Sequence, residues 1–361
     1  MTDRPLKSIE IEGYTSIRSA TVELGRLNVL VGANGAGKSN FIRALEMLGR
    51  IVEQRLGLFV GLNGGASALL HHGGGSSQLR LRLDAPPNAY EAKLVPASGD
   101  ELIFESEVIE FHDPSHERPW NLMIGSGQRE TRLSETRRPV ATYVSDLLRG
   151  CRVYHFHDTS RDAPVKQMVS TADNIKLRDD AGNLAAVLLA LRDADPAAYR
   201  RIVGTIRLVA PFFRDFVLAS ERGDRIRLRW SQKDSDAVFS ADQMSDGTLR
   251  FVCLAALLLH PDPPALMVLD EPELGLHPYA IVHLAELLRR ASVSSQVIIA
   301  TQSVTLMNQF ELGDLIVVER SDGGSRFIRP DAERLQAWLA EYSLGELWEK
   351  NLIGGRPSGN S

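Results

Sequence analysis

Two stretches far apart in the chain hold the residue types that phosphate chemistry needs. The first is Gly32-Ala33-Asn34-Gly35-Ala36-Gly37-Lys38-Ser39-Asn40. A glycine, four residues, then Gly-Lys-Ser is the spacing of a loop whose backbone N–H groups wrap a polyphosphate. Glycine suits such a loop because a chain curling around an anion passes through backbone angles that a side chain blocks. Gly32, Asn34, Gly35, Ala36, Gly37, Lys38, Ser39 and Asn40 are therefore the expected nucleotide contacts, with Lys38 bridging the outer phosphates and the Ser39 hydroxyl on Mg²⁺. The second stretch, Leu266-Met267-Val268-Leu269-Asp270-Glu271-Pro272, is an apolar run that ends in two carboxylates. Acids at the end of a buried strand stand where open α/β sheets bind their ligands. Asp270 is expected to hold Mg²⁺ through water, and Glu271 to orient or deprotonate an attacking water. An activated water competes with any other phosphate acceptor, so this pair points to hydrolysis.

Local pattern supplies the elements that must present these groups. Leu27 to Val31 reads as a buried strand, and Phe41, Ile42, Leu45 and Leu48 have the 3–4 spacing of a core-facing helix. Strand, glycine loop and helix follow one another as the phosphate loop requires. Just before the carboxylates, Ser245-Asp246-Gly247-Thr248 opens a helical run from Leu249 to Leu259. Ser245 and Thr248 are N-cap residues, and a helix start with a glycine can receive an anion. The chain's own nucleotide already has a helix, so this second site is expected to serve the ATP of another subunit. Beyond the carboxylates, Ile298-Ile299-Ala300-Thr301 reads as a strand leading to Gln302 and Ser303.

In this order the motifs resemble an ABC-type ATPase head, and more narrowly the stand-alone RecF-like ATPases of bacteria, relatives of the SMC and OLD-family heads. The resemblance runs from Ile9-Glu10-Ile11 to Leu344-Gly345-Glu346-Leu347-Trp348-Glu349. It implies an α/β P-loop NTPase fold in which an antiparallel β-lobe and an inserted helical lobe flank the nucleotide core. It implies ATP and Mg²⁺ as cofactors, a second copy of the chain as partner, and two ATP molecules sandwiched between the copies. Ser245, Asp246, Gly247 and Thr248 then act in trans, Glu271, Lys38 and Gln302 are the catalytic set, and Ser39 and Asp270 attend the metal. Two positions depart from the transporter pattern. Gln302 replaces a histidine and takes no proton at neutral pH, and Asp246 places a carboxylate where a glycine is usual. Such heads also place a glutamine near the helical lobe to sense the metal, and Gln167 is the nearest candidate.

The resemblance further implies ATP hydrolysis in DNA maintenance or phage defence, with a separate effector protein as a partner. A nucleotide-gated scaffold with slow turnover is the alternative. A transporter ATPase subunit fits less well, because the insertion between phosphate loop and signature is long for that class and no apolar run spans a bilayer. No heptads run for several turns, so coiled-coil arms are not expected. Relatives in the OLD family continue into a nuclease domain, which is not expected here.

Composition sets outer limits. The 361 residues carry a net charge of −5, with 43% hydrophobic and 24% charged residues, an ordinary globular balance. No global basic field steers the chain to DNA or RNA, so any nucleic-acid contact must come from a local patch. Gln128 to Pro139, rich in arginine, is one such stretch that could touch phosphates, but it lacks aromatic residues for base stacking and reads rather as a solvated loop. Cys151 and Cys253 stand far apart in apolar surroundings, as buried thiols of a cytoplasmic protein do. The first residues lack a signal-peptide core, and no membrane association is expected.

Four segments are expected: 1–56 with the phosphate loop, 57–150 as β-lobe with flexible insertions, 151–235 as helical lobe and return strands, and 236–361 with signature, carboxylates and switch. Gly57 to Ser77 reads as a glycine-rich surface loop, and its His71-His72 pair lacks further ligands at metal spacing. Ser292 to Ser295 reads as another loop. His155-Phe156-His157-Asp158 keeps three readings: a metal set on one strand face, a part of the nucleotide site or lobe hinge, or a packed strand end.

Overall fold

The computed structural model describes residues 5–71, 77–113, 115, 119–221 and 223–355. The chain divides into two compact units: Met1–Val153 with Ala265–Val268 and Ser295–Ser361, and Tyr154–Pro264 with Leu269–Ser294.

The first unit contains the antiparallel sheet expected of a β-lobe. Its strands run in the order Ile17–Glu23, Ser8–Tyr14, Leu79–Ala85, Asn88–Ala97, Glu101–Phe111 and Trp120–Gly125. Leu79, Leu81 and Leu83 are fully buried, while Arg80 and Arg82 alternate with them on the other face. That face is a charge ladder: Arg80 lies 2.9 Å from both Glu10 and Glu12, and Arg82 lies 2.8 Å from Glu110. A second, mixed sheet has the order Gly324–Ile328, Leu315–Ser321, Leu27–Val31, Gln296–Thr301, Leu266–Asp270 and Arg152–Tyr154. Its central strand Leu27–Val31 is buried at every residue and pairs in parallel with both neighbours, which explains its unbroken apolar run. The helix Lys38–Val52 follows, with Phe41, Ile42, Leu45 and Leu48 buried as their spacing predicts.

Two loop assignments are overturned and a third is kept. Gly57 to Ser77 contains the helices Leu56–Leu62 and Ala66–Leu69, because Leu56, Phe59 and Val60 recur at helical spacing and are buried while Gly57 and Gly61 face outward. His71 there is buried, its Nδ1 2.7 Å from the Thr15 carbonyl; His72 lies outside the described residues. The serines at 292 and 294 continue the helix Pro278–Ser294, each hydroxyl donating to the carbonyl three residues back. Gln128 to Pro139 is a largely exposed loop, with Arg129, Arg132, Arg137 and Arg138 in solvent, and it is anchored at a few points. Glu130 accepts the N–H groups of Leu56 and Gly57, and buried Glu107 accepts from Tyr90, Gln128, the Arg132 N–H and Thr131. A buried carboxylate with four donors holds that segment firmly.

The second unit is mainly helical: Leu184–Ala194, Pro196–Val209, Asp246–Leu258 and Pro278–Ser294 pack with a three-stranded sheet of Phe213–Phe216, Arg229–Gln232 and Val238–Ser240. Among the described residues the longest helix is Pro278–Ser294, and none is long and apolar enough to cross a membrane. Cys151 and Cys253 are both buried, and burial pushes each thiol up to about 12.

Candidate active site

In the first unit the phosphate loop turns where the glycines stand. Gly35 has φ +76° with open space around it, and Gly37 has φ +118°. A methyl on Gly37 would overlap the Ser325 hydroxyl, so the loop needs glycine there for space as well as for angle. Ser325 is tied to Ser16 at 2.7 Å, and Ser16 also accepts from Asn40 Nδ2 at 2.7 Å. Asn40 therefore braces the loop from beneath.

The helix Lys38–Val52 begins with no side-chain cap and no acid in its first turn. Its first N–H groups and the positive end of its dipole thus stay open to an anion, with Asn34, Gly35 and the Ser39 hydroxyl exposed around them. Lys38 is 5% exposed, and its ammonium donates to the carbonyls of Gly32 at 2.7 Å and Ala33 at 3.1 Å. A cation held on the loop's own carbonyls can transfer to phosphate oxygens without first being desolvated. Gln302 belongs to the same unit. Val31 and Thr301 are register partners in parallel strands, so the residues after them, Gly32 and Gln302, leave the sheet side by side.

In the second unit the helix Asp246–Leu258 opens differently. Ser245 caps it, its Oγ accepting from the Thr248 N–H at 3.3 Å and lying 2.8 Å from the Thr248 hydroxyl. Asp246 occupies the first turn, where its charge suits the helix dipole but lowers the pull on an external anion. A methyl at Gly247 would lie 2.5 Å from the Gly275 carbonyl oxygen, so helix start and the loop after the carboxylates are packed backbone on backbone. Arg250, one turn further along, donates to the carbonyls of Leu274 at 2.7 Å and His157 at 2.9 Å.

Asp270 ends its strand, and Glu271 just past it has φ +43°, a left-handed conformation that costs a glutamate about 1–3 kcal/mol. Asp270, His157, Arg250 and Pro272 line one small cleft of this unit. His157 is thus brought beside the end of the strand that carries Asp270. The rings of His155 and His157 are 6.4 Å apart, and among the described residues no three His, Cys, Asp or Glu side chains group to hold a metal. Hydrogen bonds from Ser160 hold the Asp158 carboxyl below its ordinary range. Gln167 is exposed and donates to the Arg161 carbonyl at 3.3 Å. Its neighbour Lys166 is the buried group, donating to Thr159 at 2.6 Å.

Sequence reasoning missed Arg250, Lys166 and the Ser16–Ser325 brace. Each acts by bonding backbone or a distant hydroxyl, and nothing in local spacing announces that. Arg250 alone carried a signal, a cation on an otherwise apolar helix face.

Comparison with solved structures places the fold. A crystal structure of the SmcHead bound to the C-winged helix domain of ScpA superposes with a TM-score of 0.58 at 17% identity, over 92% of this chain and 99% of that one. The Smc head domain with an extended coiled coil, bound to the C-terminal domain of ScpA from Pyrococcus furiosus, gives 0.56 at 16% identity over 93% and 99%. A head with coiled coil and joint from Pyrococcus yayanosii gives 0.55 at 12% over 93% and 99%. The fold is that of an SMC-type, ABC-like P-loop head. No curated protein matches the chain. The family model described as AAA domain, putative AbiEii toxin, Type IV TA system matches residues 27–308, from the strand before the phosphate loop to the helix after Gln302, and the chain belongs to that family.

Proposed function

We propose that the chain is a Mg²⁺-dependent ATPase whose two copies close on ATP and part after hydrolysis. The observation that carries this reading is the uncapped helix Lys38–Val52, with the Lys38 ammonium waiting at its entrance. ATP phosphates would take the open N–H groups and the ammonium. The Ser39 hydroxyl and Asp270 carboxylate offer the hard oxygen donors that Mg²⁺ prefers. Glu271 would take the proton of the attacking water, and Gln302 would orient it by hydrogen bonds alone.

Trans action by Ser245, Asp246, Gly247 and Thr248 is supported by the solvent exposure of Ser245 and Asp246. In solution, Glu271→Gln should change from monomer to dimer mass by light scattering when Mg-ATP is added. Adding Ser245→Arg should keep it monomeric while leaving ATP binding intact. A mass that ignores ATP would sink the sandwich.

A separate effector protein fits the heads crystallised with pieces of ScpA, and a role in phage defence is proposed alongside it for a family whose description names a putative toxin of a Type IV TA system. A nucleic-acid partner in DNA maintenance has support from one surface. The helix Pro196–Val209 has exposed Arg200, Arg201 and Arg207 and no carboxylate of its own, and Arg207 Nε bonds the carbonyl of exposed Arg214 at 3.0 Å. Among the described residues these arginines form no ion pair. If they meet a duplex backbone, Arg200→Glu with Arg207→Glu should weaken binding of a labelled duplex and flatten its salt dependence by about 0.9 log units for each phosphate no longer neutralised. An unchanged slope would remove this surface from consideration.

A further inference from the structure

Gly354 and Gly355 follow the short helix Leu344–Glu349, and both have φ +82°. The Gly355 carbonyl accepts the N–H of Ala33 at 2.8 Å. That N–H belongs to the same peptide unit as the Gly32 carbonyl, which accepts from the Lys38 ammonium at 2.7 Å. A peptide unit is rigid, so a partner on its N–H fixes the direction of its carbonyl. Hydrogen bonds chained through one peptide also strengthen each other.

The approach is close enough to require glycine. A methyl on Gly355 would lie 2.9 Å from Val317 Cγ1 and 3.4 Å from the Gly32 Cα. The support behind it is firm: Leu347 is fully buried, and the Gly345 N–H donates to Asn308 Oδ1 at 2.6 Å. On its other side Gly32 has the Val318 carbonyl so near that any side chain would overlap it.

We infer that Gly354-Gly355 is a latch that sets the Gly32–Ala33 peptide and, through it, the resting place of the Lys38 ammonium. The pair is a positioning element of the phosphate site, and this rests on the reading that the loop binds ATP. When the ammonium moves to phosphate, a latched peptide cannot turn to follow it, so the cation is given up to the ligand. An unlatched peptide rotates, and the ammonium loses its starting point. The effect must grow with the phosphates that Lys38 reaches, strong for ATP and absent for AMP.

The test uses the full chain with Gly355→Ala and Gly355→Val. ATP affinity is measured with a fluorescent ATP analogue, AMP affinity by competition against it, and melting of the nucleotide-free protein alongside. The expected result is ATP affinity about tenfold weaker in Gly355→Ala, the factor that about 1.4 kcal/mol produces, with AMP affinity little changed and melting lower by only about 2–4 °C, as a side chain at φ +82° costs in a large chain. Should Gly355→Val fail to fold, Gly355→Ala still gives the answer. Unchanged ATP affinity, or ATP and AMP weakened together, overturns the latch. Failure of the unaltered protein to bind ATP is a different result, which removes the ATPase reading itself.

Discussion

Lys38→Ala is expected to reduce ATP affinity by about a hundredfold or more. The ammonium is buried and pre-placed on two loop carbonyls, and at the phosphates it would contribute charge-assisted hydrogen bonds of about 1.5–3 kcal/mol each. Two such bonds suffice for the loss. Titration of the variant with a fluorescent ATP analogue checks it, with circular dichroism to show that the fold persists. Affinity within a few-fold of the unaltered protein would mean that Lys38 stays on the carbonyls of Gly32 and Ala33 and is a structural cation. The backbone N–H groups of the uncapped helix would then carry the anion alone.

At Glu271 activity and stability are expected to part. Loss of a general base typically costs about 10²–10⁴ in rate, so Glu271→Gln and Glu271→Gly should both hydrolyse ATP at least about a hundredfold more slowly. Their stabilities should differ. Glu271 has φ +43°, which glutamine tolerates no better than glutamate and glycine adopts freely. Glu271→Gly should therefore melt about 2 °C above Glu271→Gln, as about 1 kcal/mol would give in a chain of this size. Steady-state phosphate release and calorimetry on the two variants decide. If both still turn over at the unaltered rate, water is activated elsewhere, and a glycine variant that melts lower would mean that contacts of the Glu271 side chain outweigh its backbone strain.

The phosphate loop and the carboxylate strand could be read from the sequence because their chemistry is local. Glycine spacing, an apolar strand and a following helix act within a dozen residues, and the helical spacing from Phe41 to Leu48 matches the face that is buried. The loops from Gly57 and from Ser292 misled for an equally local reason. Glycine and serine mark turns on average, but Leu56, Phe59 and Val60 bury one face of a helix that leaves its glycines in solvent, and serines can bond back onto their own helix. What joins the motifs was not legible. Arg250 on two carbonyls, Ser325 beneath Gly37 and Gly355 on Ala33 are contacts between segments distant in sequence, fixed only once the sheets have formed.

The two buried cysteines have a practical consequence. With each thiol enclosed and pushed up to about 12, almost no thiolate is present at neutral pH to meet a maleimide. The natural chain therefore behaves toward such reagents as if it had no cysteine. A single cysteine placed at exposed Leu62 or Val293 would accept one fluorophore at one known position without first rebuilding the core.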